Sequence, residues 1–228
     1  MLLETYLETL FAEPQMLRMG HGQSKSDLNL GLGWIYYALG RVLRAKTAVV
    51  IGSYRGFVPS VIARALGDNE QPGSVTFIDP SLADDFWAEP AHVTQHFEKL
   101  GTPNIVHQRF TTQTFVDTPA YAALDDIDLL MIDGYHTAEQ ARFDYLAFLP
   151  KLSEQAVTLF HDSVSIRESK FYGEDRSYWH TVRQFIERLE TTPGIEVLTL
   201  PIGSGLSLVR GKPHSLDLLE RPFQDVQN

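Results

Sequence analysis

Four short apolar runs recur along the chain: KTAVVIG (46–52), SVTFID (74–79), IDLLMID (127–133) and AVTLFHD (156–162). They are rich in β-branched residues and mostly apolar at successive positions, the pattern of strands buried on both faces. NIVHQRF (104–110) reads as a further, more polar strand. Amphipathic stretches separate the runs. Pro59 near the start and Gly67 at the end bracket a helix with Val58, Val61, Ile62 and Ala65 on one face. AHVTQHFEKLG (91–101) reads as a second helix. Thr137 and Gln140 have capping-box spacing and open a third, with Ala138, Ala141, Tyr145 and Phe148 on its inner stripe. Such alternation predicts an α/β fold whose parallel sheet is covered by helices on both faces. IEVLTLPIGSGLSLVR (195–210) breaks the rhythm: two strands around Gly-Ser-Gly predict an antiparallel hairpin at the C-terminal edge. The expectation is a Rossmann-like, seven-stranded, mostly parallel sheet.

Around this core (45–210), residues 1–44 read as a helical N-terminal extension and 211–228 as a polar, loosely ordered tail. A long polar loop is expected after the fifth strand, then a helix near 178–190. With 43% hydrophobic residues, 228 residues suffice for one large domain or a core domain with additions. A net charge of −10 argues against nucleic acid, which requires a positive field. No apolar run reaches the roughly 18 residues of a membrane span. The N-terminal MLLETYLETLFAEPQ mixes acids into its apolar residues and does not read as a signal peptide. The absence of cysteine excludes disulfides, thiolate metal sites and a cysteine nucleophile. A cytoplasmic location is the expectation, and homo-oligomerisation is left open.

In open α/β sheets ligands sit at the carboxyl ends of the strands. The first strand delivers Gly52 and Gly56, which let the backbone turn sharply against a ligand; the second delivers Asp79, placed to accept hydrogen bonds from ribose hydroxyls. Alone, the glycine pair reads equally as a tight strand–helix turn and Asp79 as a helix cap with Pro80. Together they favour a nucleoside ligand. The turn Gly-Ser-Tyr-Arg-Gly lacks the G-x-G-x-x-G pattern of dinucleotide sites, which disfavours an NAD-dependent oxidoreductase.

VVIGSYRGFVPSVIARAL, VTFIDP, IDLLMIDGYHTAEQARFDYLAFLPKL and VTLFHDS together resemble the successive motifs of class I S-adenosylmethionine-dependent methyltransferases. They are most similar to a small O-methyltransferase-like group whose fourth strand ends in Asp-Gly-x-His and whose fifth ends in His-Asp. The resemblance implies S-adenosylmethionine as cofactor. It puts Gly52, Ser53, Tyr54 and Gly56 along the methionine portion, Asp79 on the ribose, and Phe110 and Thr111 near adenine. Many such enzymes carry an acid two residues before the first glycine. This chain has Val50, so another group must hold the cofactor's ammonium.

The fourth and fifth strands are expected to be neighbours, about 4.8 Å apart. Asp133 and Asp162 would then enter one cleft, where their repulsion calls for a cation such as Mg²⁺ or a shared proton. Resemblance to catechol-type O-methyltransferases puts Asp133 and Asp162 on metal-ligand positions, Ser163 where those enzymes have Asn, and His136 at the base that accepts the hydroxyl proton. Two alternatives stay open: Asp133 serving only the cofactor with His136 capping the next helix, or His136 and His161 joining the aspartates around a transition metal. His161 also reads as a packed structural residue.

The leading function is therefore methyl transfer to an oxygen of a small-molecule acceptor. A cofactor-binding or interaction module of the same fold is the runner-up, supported by Val50. Tyr172, Tyr178 and Trp179 are candidates to wall the acceptor, and the N-terminal segment MGHGQSKSD (19–27) to close the other side.

Overall fold

The computed structural model describes residues 1–17 and 20–223, and within these the expected α/β architecture is present. The central strands are β1 (Thr47–Ile51), β2 (Ser74–Ile78), β3 (Ile105–Gln108), β4 (Ile127–Ile132) and β5 (Leu152–His161). A short pair follows, β6 (Arg167–Ser169) and β7 (Tyr178–His180), and the chain returns through β8 (Ile195–Leu200) and β9 (Leu206–Gly211). Seven strands form one sheet in the order β3-β2-β1-β4-β5-β9-β8. β1 to β5 pair in parallel, and β9 runs antiparallel to both β5 and β8. The order reverses between β1 and β4, so the connections leaving these two strands diverge and open a crevice at their carboxyl ends.

The helices are α1 (Leu3–Ala12), α2 (Gly33–Val42), α3 (Phe57–Gly67), α4 (Pro90–Lys99), two short turns α5 (Thr112–Phe115) and α6 (Pro119–Ala122), α7 (Ala138–Phe148) and α8 (Val182–Glu190). Strand pleating divides the core. Ala48, Val50, Leu129, Met131, Val157 and Leu159 face one layer with residues of α1, α2 and α3. Val49, Ile51, Leu130, Ile132 and Phe160 face the other, against α7 and α8. Consecutive apolar residues are thus buried on opposite faces, which is why the runs lack alternation.

Four sequence readings change. β5 begins at Leu152, before the apolar run, because it pairs with Ile127 across a register shift in β4. The stretch expected as a loop contains the β6–β7 hairpin, pairing Arg167 with His180 and Ser169 with Tyr178. The helix expected from 178 starts at Val182 instead. At the boundary, the Thr181 amide donates to the His136 carbonyl and the Thr181 hydroxyl accepts from the Ala138 amide, both at 2.8 Å, tying the starts of α7 and α8 together. The N-terminal extension is helical only in part, since residues 20–32 form turns held by a Ser24–Asn29 bridge. Met19 of the 19–27 segment and 224–228 of the tail lie outside the described residues. Among the described residues no helix is long and apolar enough to cross a membrane.

As far as Phe223, the tail is docked rather than loose. Leu219 is fully buried, and the Phe223 ring packs edge-on against Phe185, with the Arg188 guanidinium 3.8 Å from its centre. The Arg188 and Arg142 side chains donate to main-chain carbonyls of 220–222. Phe223→Ala is expected to lower stability by about 1–2 kcal/mol, read as a shifted urea midpoint at unchanged slope.

Candidate functional site

The carboxyl ends of β1, β2, β4 and β5 open into one cavity of about 650 Å³ that also reaches the β6–β7 hairpin. At its floor the chain leaves β1 through Gly52, in the left-handed region at φ +73°. A side chain there would collide with the Cα of Gly134, so the β1 and β4 turns meet backbone to backbone. Gly56 (φ +87°) starts α3, its α-carbon facing the rings of Phe97 and Trp87. Between them Ser53 is buried, and its hydroxyl has no hydrogen-bond partner within the protein. Tyr54 is flanked by the Arg55 guanidinium, 3.8 Å from its ring centre, and by Phe171 edge-on at 5.0 Å. Arg55 is itself fixed by Asp84, Nη2 to Oδ2 2.5 Å.

Asp79 projects from the end of β2. Its Oδ2 accepts from the Ser53 amide (3.2 Å) and its Oδ1 from the Ser81 amide (2.8 Å). Burial pushes its pKa up despite these bonds and the nearby Arg55. A carboxylate oxygen has more than one lone pair, so both oxygens retain acceptor capacity. Phe110 is partly exposed after β3, and Thr111 caps α5 by accepting from the Thr114 amide; both line the cavity. Val50 is fully buried in the sheet and presents no polar group to it.

A dense polar cluster lies at the ends of β4 and β5. Asp133 Oδ1 is 2.8 Å from His161 Nδ1, and its Oδ2 is 3.4 Å from His21 Nε2. Asp162 Oδ2 is 2.6 Å from His180 Nδ1 and accepts from Arg167 at 2.8 Å. His136 Nε2 sits between the carboxylates, 3.9 Å from Asp133 Oδ1 and 3.8 Å from Asp162 Oδ2. Burial alone would raise both carboxyl pKa values, but the facing imidazoles hold Asp133 and Asp162 well below the usual carboxylate range. Burial pulls His136 down to about 4 against the pull of both acids, so its imidazole is neutral at pH 7. Burial also opposes the charged form of His161, yet Asp133 raises its pKa overall. Ser163 is buried beneath the site and accepts from the Ser207 hydroxyl at 2.9 Å.

Every residue singled out at the carboxyl ends from the sequence lines this cavity except Val50, Gly56, which supports the turn behind it, and Ser163. Tyr172 and Tyr178 line it too, in a stack with Tyr135, whose ring centre is 4.1 Å from that of Tyr178. Trp179 does not: it alternates with Tyr178 and His180 along β7 and points the other way, partly exposed. Thr137 caps α7 as expected, accepting from the Gln140 amide (3.2 Å), whereas the Gln140 side chain turns to Asp144 instead of completing the box.

Sequence reasoning missed His21, Arg167, His180 and Asp144. Gly-His-Gly at 20–22 was the available signal for His21, and Asp144 is a lone acid on the otherwise apolar inner stripe of α7. The partners of Arg167 and His180 follow from a hairpin whose aromatic residues carried no distinct strand pattern.

Residues 49–163 match a protein family described as "Methyltransferase domain". A curated relative, the uncharacterized protein y4gI of Sinorhizobium fredii, is 28% identical over 150 residues, 60% of this chain; the alignment spans about 15% of the relative's length. Among solved structures, an O-methyltransferase from Bacillus cereus in complex with SAH is similar at 15% identity and TM-score 0.62, with 91% of each chain covered. The O-methyltransferase TomG from Streptomyces achromogenes, in complex with SAM, is similar at 15% and 0.61, covering 92% of this chain and 91% of its own. SAH-bound methyltransferase PaMTH1 from Podospora anserina is similar at 17% and 0.58, covering 92% and 87%. At such identities these structures establish a shared fold.

Asp144 is fully buried beside the cavity, and burial raises its carboxyl pKa from 3.8 to about 7, although Thr112 and Gln140 oppose the shift. Its Oδ1 accepts from Gln140 Nε2 at 2.7 Å, while Oδ2 has no partner in the protein. A folded-state pKa above the unfolded one means that the folded protein holds the extra proton between about pH 4 and 7. Stability should therefore fall as pH rises through that window and then level off. Asp144→Asn should flatten this slope and gain roughly 2–4 kcal/mol over wild type at pH 8 relative to pH 4. Urea unfolding of both proteins between pH 4 and 8 reads the difference.

Proposed function

The chain belongs to the methyltransferase-domain family, and from that premise we propose that it carries the methyl group of S-adenosylmethionine to an oxygen of a small-molecule acceptor, assisted by a divalent cation. One observation carries this reading. The glycine turn after β1, the acid ending β2 and the His/Asp cluster ending β4 and β5 line a single cavity. A nucleoside cofactor and an acceptor would lie side by side there. The SAM and SAH named with similar O-methyltransferase structures support the choice of cofactor and of oxygen.

The residues fit the cofactor. Gly52 and Ser53 line the cavity, and the unpartnered Ser53 hydroxyl is a hydrogen-bonding group for the polar end of a ligand. Asp79 would accept from the ribose hydroxyls, and Phe110 and Thr111 would border the adenine. S-adenosylmethionine supplies an electrophilic methyl group on sulfur. The protein's work is to align the acceptor oxygen with that methyl in line and keep water out. Tyr135, Tyr172 and Tyr178 form one wall for a flat acceptor.

A divalent cation such as Mg²⁺ at Asp133 and Asp162 would polarise the acceptor hydroxyl. Nε2 of His136 takes the hydroxyl proton, and the two carboxylates just under 4 Å away then face the imidazolium it becomes. No nucleic-acid or membrane partner enters this reading, and it includes a cytoplasmic location. A second reading, cofactor binding without transfer, draws on buried Val50. Calorimetry with S-adenosylmethionine combined with an acceptor screen separates the two, because binding without turnover on any hydroxylated acceptor would favour the second.

Asp79→Ala is expected to weaken S-adenosylmethionine binding by about 1–3 kcal/mol through lost charge-assisted hydrogen bonds; unchanged affinity by calorimetry removes Asp79 from the site. Chelation should abolish transfer, with a divalent cation restoring it. His136→Ala should lower turnover by about 10²–10⁴ at nearly constant cofactor affinity. Full activity in chelator rejects the cation, and normal turnover of the variant rejects the base.

A further inference from the structure

We propose that His21, Asp133 and His161 bind a first-row transition-metal ion of the Zn²⁺, Fe²⁺ or Mn²⁺ kind, the N-terminal segment supplying one of three protein ligands. This deepens the reading above, on which it rests for what the ion would do; the binding itself is independent of methyl transfer.

The geometry is that of ligand atoms sharing a centre. His161 Nδ1 is 2.8 Å from one oxygen of Asp133 and His21 Nε2 is 3.4 Å from the other. All three ligand atoms lie within 4.8 Å of one another. Metal–nitrogen and metal–oxygen bonds of about 2.0–2.1 Å separate adjacent ligand atoms by about 2.9 Å in an octahedron and about 3.3 Å in a tetrahedron. Moreover, His161 Nδ1 is fully buried and, although close to Asp133, is misaligned and makes no hydrogen bond there. This nitrogen faces the cluster, 2.8 Å from Asp133 Oδ1.

The far nitrogens tell the same story. His161 Nε2 is 3.3 Å from the Ser204 hydroxyl, and His21 Nδ1 is 3.1 Å from the buried Tyr36 hydroxyl. Metal-bound imidazoles are held through the opposite ring nitrogen in this way, which sets the tautomer and leaves the near nitrogen free to coordinate. The two rings pack 4.3 Å apart, and His21 stacks on Phe57, so neither imidazole is free to turn away. The backbone is shaped for it. Gly31 has positive φ and lies so close that any side chain there would collide with the His21 carbonyl, so the turn closes tightly on this histidine.

Two competing arrangements are less favoured. His136, His161 and Asp162 form an overlapping triad, but Asp162 already accepts from the Arg167 guanidinium, so the cation of the reading above moves off Asp162 and onto the two imidazoles beside Asp133. Mg²⁺ prefers oxygen ligands and retained water, whereas two imidazoles and one carboxylate suit transition ions. Three protein ligands leave coordination positions open toward the cavity, as sites that meet a substrate require.

Chelator-treated protein titrated with Co²⁺ tests the proposal without cofactor or acceptor. One equivalent should produce visible d–d absorption bands that Zn²⁺ abolishes and millimolar Mg²⁺ leaves in place. His21→Ala and His161→Ala should each weaken Co²⁺ binding at least tenfold. Tyr36→Phe, a near-isosteric change that should fold normally, should weaken it about tenfold by releasing the His21 ring. Absence of the bands, their loss to Mg²⁺, or wild-type Co²⁺ affinity in folded His21→Ala would overturn the assignment. Calorimetry with S-adenosylmethionine on the same samples keeps the two readings apart. Co²⁺ binding without cofactor binding defeats the methyl-transfer reading alone, and cofactor binding without Co²⁺ binding defeats this site alone.

Discussion

Two carboxylates buried at the ends of neighbouring parallel strands are the constraint around which the rest of the structure is arranged. A charge removed from water costs several kcal/mol unless it is paired. Asp133 and Asp162 recruit partners from nearly the whole length of the chain. His161 comes from β5 itself, His21 from the N-terminal turns, and Arg167 and His180 from the β6–β7 hairpin. The N-terminal extension and the hairpin are therefore not ornaments on a complete core. Each brings a polar partner to the buried acids, an imidazole from His21 and the Arg167 guanidinium with the His180 imidazole from the hairpin, and both border the cavity.

The backbone around these acids is equally committed. Gly52 lets the turns after β1 and β4 touch, which brings the glycine turn and the acid-bearing turn into one cavity. Thr181 joins the start of α8 to the start of α7 just beyond His136, so the hairpin that carries His180 is anchored where the histidine between the carboxylates emerges. His136 thereby sits between two acids with little freedom to relax.

The pattern of the sequence carried most of the fold. Apolar runs ending in Gly52, Asp79, Asp133 and Asp162 identified strands, their parallel arrangement and the edge at which the cavity opens, because a strand buried on both faces puts its polar residues mainly at its end. Where the pattern misled, local preference was overruled by distant pairing. Tyr178, Trp179 and His180 became a strand only because 167–169 lies opposite, and Phe223 is docked because α8 offers it Phe185 and Arg188. Neither partnership leaves a periodic trace.

The division at the site follows from the range of the forces involved. By itself the sequence determined the α/β class, the strand ends, the glycine turn, Asp79, and the Asp133, His136 and Asp162 trio, since hydrophobic periodicity and turn chemistry are local properties. Only the tertiary structure decided which polar groups meet the buried acids. His21 lies 112 residues from Asp133 and meets it across 3.4 Å. Electrostatic pairing acts through space over a few ångströms and is indifferent to separation along the chain, so an isolated histidine between two glycines acquires its role only when folding brings it to a buried acid.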